Sequence, residues 1–146
     1  MKKELKIILA EDDDGHATLI KRNLKRSGLL NEIIHLKDGQ ETLDFLFQGK
    51  HDKAKVKDVA SLLLLDIKMP RVDGIEVLRK VKEDEFLKRM PVIMITTTDD
   101  PREIDKCHEL GCSNYITKPI DYDKFVVAIR KLGLFLVVVE VPDMNT

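Results

Sequence analysis

LLLLDIKMPRVDG, residues Leu62 to Gly74, is the stretch from which the rest of the chain can be read. A run apolar at every position suits a strand covered on both faces, as the inner strands of a parallel sheet are. The run stops on Asp66 and then turns at Pro70. A carboxylate in that place sits where core meets water, and its chemistry depends on what the rest of the chain brings to it.

Working outward, apolar runs of strand length alternate with segments of helical period. The strands are predicted at Leu5 to Ala10, Ile33 to Leu36, Leu62 to Leu65, Val92 to Ile95 and Asn114 to Ile116. Between them, Ala17, Ile20 and Leu24 share one helical face ahead of Gly28, and Leu43, Leu46 and Phe47 mark a second helix after Asp38-Gly39. Val77, Leu78 and Val81 follow the turn at Asp73-Gly74, and Ile104, Cys107 and Leu110 lead to Gly111, placed as a helix-terminating glycine. A fifth helix starts near Asp121, a suitable N-cap. Strand and helix in strict alternation predict an α/β domain with a parallel sheet.

The 146 residues are the length of one domain, and 43% apolar content is enough for one sizeable core. Charged residues make up 35%, yet 25 basic and 26 acidic side chains leave a net charge of -1. That balance supplies no field for nucleic acid or an anionic membrane and argues against direct DNA binding. The N-terminus reaches its acids too soon for a signal peptide's apolar core, which predicts a cytoplasmic protein. Cys107 and Cys112 have no zinc-spaced partners and read as reduced thiols, Cys107 through helix packing.

Two segments depart from the alternating plan. Gln48 to Ala60 is a polar, lysine-rich insertion that reads as a surface loop. At the other end, every residue from Leu134 to Val139 is apolar, but the run falls far short of the ~20 residues that span a bilayer. Consecutive valines favour an extended arm over a continued helix. Residues 1–132 are therefore expected to form the domain, and residues 133–146 an apolar extension whose segment Leu134 to Val141 contributes to a homodimer contact.

In an open parallel sheet, ligands bind beyond the carboxyl ends of the strands. Here those ends carry Glu11-Asp12, Asp66, Thr96-Thr97-Thr98 and Thr117-Lys118-Pro119. Carboxylates converging from separate strands repel by roughly 4 kcal/mol per pair at ~4 Å and an effective dielectric near 20. A hard divalent cation with oxygen ligands offsets that, and a site with few carboxylates and room for water suits Mg²⁺. Lys118 adds a fixed cation, and the space between metal and ammonium is shaped for a phosphoryl group.

AEDDD, LLLLDIKMPRVDG, ITTTD and NYITKPI resemble, in order and spacing over about residues 4 to 132, the receiver domain of two-component response regulators. The resemblance implies a flavodoxin-like (βα)5 fold with strand order 2-1-3-4-5. It also implies that Asp66 is phosphorylated by a partner sensor histidine kinase, with Glu11, Asp12, Asp66 and the backbone carbonyl of Lys68 as Mg²⁺ ligands. By the same resemblance Lys118 meets the phosphoryl oxygens, Thr96 is the hydroxyl that follows phosphorylation, and Tyr115 is the ring that changes rotamer with it. Pro119 matches a proline that in this family follows a cis peptide bond.

Thr97 departs from the alanine or glycine usual after the switch threonine, and its bulk is placed to screen the pocket. The threonine run and the insertion before the third strand resemble the small single-domain regulators that partner phytochrome kinases. The implied function is a signalling switch, not an enzyme beyond assisting its own phosphorylation and dephosphorylation. A phosphorelay shuttle to a histidine phosphotransfer domain is the alternative within signalling. A haloacid-dehalogenase-type phosphatase would need a second aspartate where Lys68 stands and its nucleophile after the first strand. A flavodoxin-like cofactor binder would need a phosphate loop where this chain has acids. Asp13 and Asp14 read as helix-dipole partners, and His16 as a solvated first-turn histidine rather than a metal ligand.

Overall fold

In a computed structural model, which describes residues 5–51 and 60–138, the strands form one parallel sheet. They are β1 (Leu5–Ala10), β2 (Ile33–Leu36), β3 (Ala60–Leu65), β4 (Val92–Thr96) and β5 (Asn114–Thr117), in the order β2-β1-β3-β4-β5. The helices are α1 (Asp14–Arg26), α2 (Gly39–His51), α3 (Gly74–Glu83), α4 (Pro101–Leu110) and α5 (Tyr122–Val138), with a short 3-10 turn at Leu87–Arg89. This is the flavodoxin-like arrangement expected from the sequence.

The unbroken apolar run of β3 is explained by its two faces. Leu63 and Leu65 join Ile8, Ala10, Val92 and Met94 in a core closed by α2, α3 and α4. Leu62 and Leu64 join Ile7, Leu9, Ile93 and Ile95 in a second core closed by α1 and α5. Side chains alternate across a strand, so Leu62 to Leu65, with a core on each side, leave no exposed position for a polar residue; Ser61, at the start of β3, is its one polar side chain and is buried. The edge strands β2 and β5 are less buried.

Register brings the polar chemistry to one edge. Ala10 pairs with Leu65, Leu65 with Met94 and Thr96 with Thr117. Glu11, Asp66 and Lys118 are each the next residue after a paired strand end. The Asp66 N–H donates to the Ala10 carbonyl at 3.0 Å, the Glu11 N–H to Leu36 at 3.0 Å and the Lys118 N–H to Thr96 at 2.7 Å. Each residue is thereby locked to its neighbouring strand.

Helix ends follow local chemistry. Asp13, Asp73 and Asp100 cap α1, α3 and α4, each accepting a first-turn N–H. Asp121 accepts the Lys124 N–H at 3.0 Å, as its N-cap reading requires. Gly28 and Gly111 have left-handed backbones, as chain-reversing residues after helices do. Both cysteines are buried and unbridged, and burial pushes the Cys107 thiol up to about 11.

Three expectations are corrected. Leu134 to Val138 is not an extended arm but the last turn and more of α5, which runs unbroken from Tyr122; Val139 to Val141 lie outside the described residues. Leu132 and Leu136, one turn apart, are buried against α1 and the sheet, and that burial outweighs the weak helix preference of valine. The expected insertion is partly helix, since Gln48 to His51 complete α2, and residues 52–59 lie outside the described residues. No cis peptide bond precedes Pro119 or occurs elsewhere among the described residues. Lys118 is fixed instead by its backbone bond to Thr96 and by its ammonium contacts.

Candidate functional site

Asp66 is positioned by the backbone around it. Its Oδ1 accepts the Ile67 N–H at 2.7 Å, and α3 starts directly against it: the Gly74 N–H donates to the Ile67 carbonyl at 2.7 Å. A Cβ on Gly74 would stand 1.9 Å from the Asp66 carbonyl oxygen, so only glycine permits this approach. The D-G pair read as a turn therefore also presses the first turn of α3 onto the carboxylate's own peptide.

Lys118 reaches across from β5, and its Nζ lies 3.1 Å from Asp66 Oδ2 and within hydrogen-bonding contact of Glu11 Oε1. All three side chains are buried. Asp12 is exposed and forms the outer wall. Oxygen atoms of Glu11, Asp12 and Asp66 lie within 4.8 Å of one another. The four residues expected to form one polar basin are thus brought together. Lys68, expected to offer only its backbone carbonyl, has its side chain in solvent.

Electrostatically the basin is short of positive charge. Burial, the largest effect, and the Asp66 charge push the Glu11 carboxyl well above the usual carboxylate range, against the pull of Lys118. A single ammonium does not balance the carboxylates around it. Oxygen-only donors with one open, solvated side fit a hard divalent ion that keeps some of its water, as Mg²⁺ does.

The Thr96 hydroxyl, at the end of β4, is buried and has no hydrogen-bond partner among the described residues. The hydroxyls of Ser61 and Thr98 are likewise buried without a partner among the described residues. Tyr115 on β5 is half-buried against the α4 side of the core, and its hydroxyl donates to the Thr98 carbonyl at 2.6 Å. Burial, chiefly, pushes that phenol up to about 12. Thr97 is exposed and lines an open cavity beside Lys118, together with His16, Leu19, Ile120 and Phe125.

Sequence reasoning missed part of this constellation. His16 is not simply solvated: its Nδ1 lies 3.1 Å from Lys118 Nζ, and its ring packs at 5.5 Å from Phe125. The available signal was its place in the first turn of a helix that begins at the carboxylate edge. Also missed was the pairing of Arg71, five residues after Asp66, with Asp38 at the start of α2. No sequence pattern announces it, because it depends on how two loops meet.

The family model for the response regulator receiver domain matches residues 7–130. A response regulator receiver domain structure from Rhodospirillum rubrum is 46% identical, covers 97% of this chain and 99% of that one, and superposes with a TM-score of 0.90. Response regulator Rcp1 of Synechocystis sp. is 35% identical over 77% of this chain and 75% of its own length. Its Mn²⁺-bound crystal structure covers 94% of this chain and 98% of that one, with 30% identity and a TM-score of 0.83. The phosphorylated cyanobacterial phytochrome response regulator RcpA is 30% identical, with a TM-score of 0.84 over 97% of this chain and 99% of that one.

Proposed function

The chain belongs to the response regulator receiver domain family of two-component systems, with relatives in phytochrome signalling, and from that premise we propose that Asp66 is its phosphoacceptor. Receiver domains act with sensor histidine kinases and bind Mg²⁺ at an acidic pocket. The observation that carries the reading here is the buried contact of Asp66 with Lys118, at 3.1 Å, beside Glu11 and Asp12.

In the proposed reaction an Asp66 carboxylate oxygen attacks the phosphorus of a phosphohistidine on the kinase. The P–N bond breaks, the imidazole leaves, and an acyl phosphate remains. A carboxylate needs no general base, so positioning and charge neutralisation do the work. The Ile67 N–H orients one carboxylate oxygen, and Lys118 meets the other and then the phosphoryl oxygens. Glu11, Asp12, Asp66 and the Lys68 carbonyl would hold Mg²⁺, which would supply charge neutralisation of the phosphoryl group. Thr96 is the hydroxyl that turns to the new oxygens, and Tyr115, through its bond to Thr98, follows the loop after β4 as the switch reports the phosphorylated state.

The kinase is proposed to be a phytochrome-type sensor, docking where exposed Ile120 flanks the cavity beside Lys118. Residues 1–132 carry this switch. The segment from Gly133 onward is proposed to contribute a homodimer contact through exposed Leu134, Phe135 and Val137 on α5. The output passes through protein partners in the cytoplasm rather than through DNA, in keeping with the balanced net charge of -1. No described helix is long and apolar enough to cross a membrane.

Incubation with Mg²⁺ and acetyl phosphate, followed by intact mass, tests the acceptor. One added phosphoryl group is expected, lost on Asp66→Asn substitution and on chelation of the metal. A mass gain that survives in Asp66→Asn would assign the chemistry elsewhere.

A further inference from the structure

We infer that His16 is a positioning residue for Lys118, the acceptor that holds the ammonium over Asp66 when the carboxylates are engaged by metal. A lysine ammonium has three donors and no acceptor capacity. In the structure those donors face Glu11 Oε1, Asp66 Oδ2 at 3.1 Å and His16 Nδ1 at 3.1 Å. Lys118 is buried, so water is a poor substitute for a lost partner. The inference rests on the proposed role of Asp66, and the two are tested separately below.

The His16 contact differs in kind from the other two. Glu11 and Asp66 belong to the oxygen cluster suited to a divalent ion, and each carboxylate drawn toward a cation has less charge to offer the ammonium. The imidazole nitrogen in this place is outside that cluster. It keeps its bond to Lys118 when the carboxylates are shared. Because Lys118 only donates, His16 Nδ1 must be the bare nitrogen and Nε2 must carry the proton. The nearest carboxylate oxygen to Nδ1, on Asp13, is 4.0 Å away, beyond hydrogen-bond range. The ring's other flank rests on Phe125 of α5, a buried side chain that fixes its tilt. His16 thus joins the first turn of α1, the base of α5 and the active lysine.

Two measurements decide the matter. Long-range ¹H–¹⁵N correlation of the imidazole is expected to show the proton on Nε2, with an Nδ1 signal that moves on Lys118→Met substitution; a proton on Nδ1, or an unmoved signal, would overturn the contact. In the second, acyl phosphate formation from acetyl phosphate at saturating Mg²⁺ is expected to slow about tenfold in His16→Leu, the low end for losing a hydrogen bond to a charged group. His16→Asn, whose amide oxygen falls near the position of Nδ1, is expected to recover the rate. Mn²⁺ affinity measured by electron paramagnetic resonance is expected to stay unchanged in both variants, with thermal melts confirming folding. A wild-type rate in His16→Leu, failure of His16→Asn to recover, or a parallel loss of Mn²⁺ affinity would each overturn the positioning role. If the wild-type chain takes up no phosphoryl group, the Asp66 assignment alone fails, and the imidazole signals still decide whether His16 holds Lys118.

Discussion

Arg71 has a backbone φ of +69°, and it is the only non-glycine residue with positive φ among those described. The Val72 N–H donates to the Pro70 carbonyl at 2.9 Å, which closes a γ-turn about Arg71, and a positive φ makes it the rarer and more strained form. Such a conformation persists when its surroundings over-determine it. Here the guanidinium forks onto Asp38, Nε to Oδ2 and Nη2 to Oδ1, both at 3.1 Å. Asp38 also takes the Glu41 N–H at 2.8 Å, so one carboxylate caps α2 and anchors the loop that follows Asp66. The Glu41 N–H first, and Arg71 second, hold its carboxyl below the ordinary 3.8. A depressed folded-state value means that the contribution is complete above 3.8 and fades as pH falls through the lower folded value. Asp38→Asn keeps a cap acceptor but loses the charge. Denaturant unfolding across pH should therefore show wild type more stable above about pH 5, with the gap closing in acid; a gap independent of pH would show that the charge of Asp38 contributes nothing.

At the level of elements, what was legible in the sequence and what was not have different physical origins. Glu11 and Asp66 could be read because two-sided burial forces unbroken apolar runs, and the first polar residue after each run lies at the sheet's edge, whereas Lys118, after the half-exposed edge strand β5, is legible through the family resemblance of NYITKPI. Contacts such as His16 with Lys118, 102 residues apart, depend on side-chain directions that no periodicity encodes. The end of α5 was misread because local preference and tertiary packing disagree there. Each valine loses at most about 0.7 kcal/mol of helix propensity, whereas burying a leucine contributes about 1.5–3 kcal/mol. Leu132 and Leu136 both gain that burial, so the helix continues.

Gly133 shows the same conflict. Glycine disfavours a helix interior, yet Gly133 is helical and buried where α5 crosses the end of α1, and a Cβ there would stand 2.6 Å from both Cβ and Oγ of Ser27. That Ser27 hydroxyl contacts the Asn23 and Arg130 carbonyls, so it has little freedom to withdraw. On an open helix, glycine to alanine stabilises by about 1 kcal/mol. At Gly133 overpacking should reverse the sign, and Gly133→Ala is expected to destabilise by about 1–3 kcal/mol in urea unfolding. A stabilised variant would mean that the two helices do not approach this closely in solution.

At the scale of the whole molecule, α5 carries two apolar faces with different fates. Phe125, Ile129, Leu132 and Leu136 face the domain's own core. Val127, Leu134, Phe135 and Val137 are each about half exposed or more. Scattered exposed hydrophobics are ordinary, but several gathered toward one end of a single helix form a patch that association would remove from water at about 25 cal/mol per Å². Deleting the segment is a poor test of the proposed homodimer, because it takes Leu136 out of the core and confounds folding with association. Substitutions confined to the outer face separate the two. Leu134→Lys together with Val137→Lys leaves the buried face intact, places like charges on both sides of a symmetric contact, and should leave the melting temperature within a few degrees of wild type while shifting the light-scattering mass from dimer to monomer. An unchanged dimeric mass would move the contact elsewhere on the molecule. A wild-type chain that is already monomeric at high concentration would mean that this face serves no second copy.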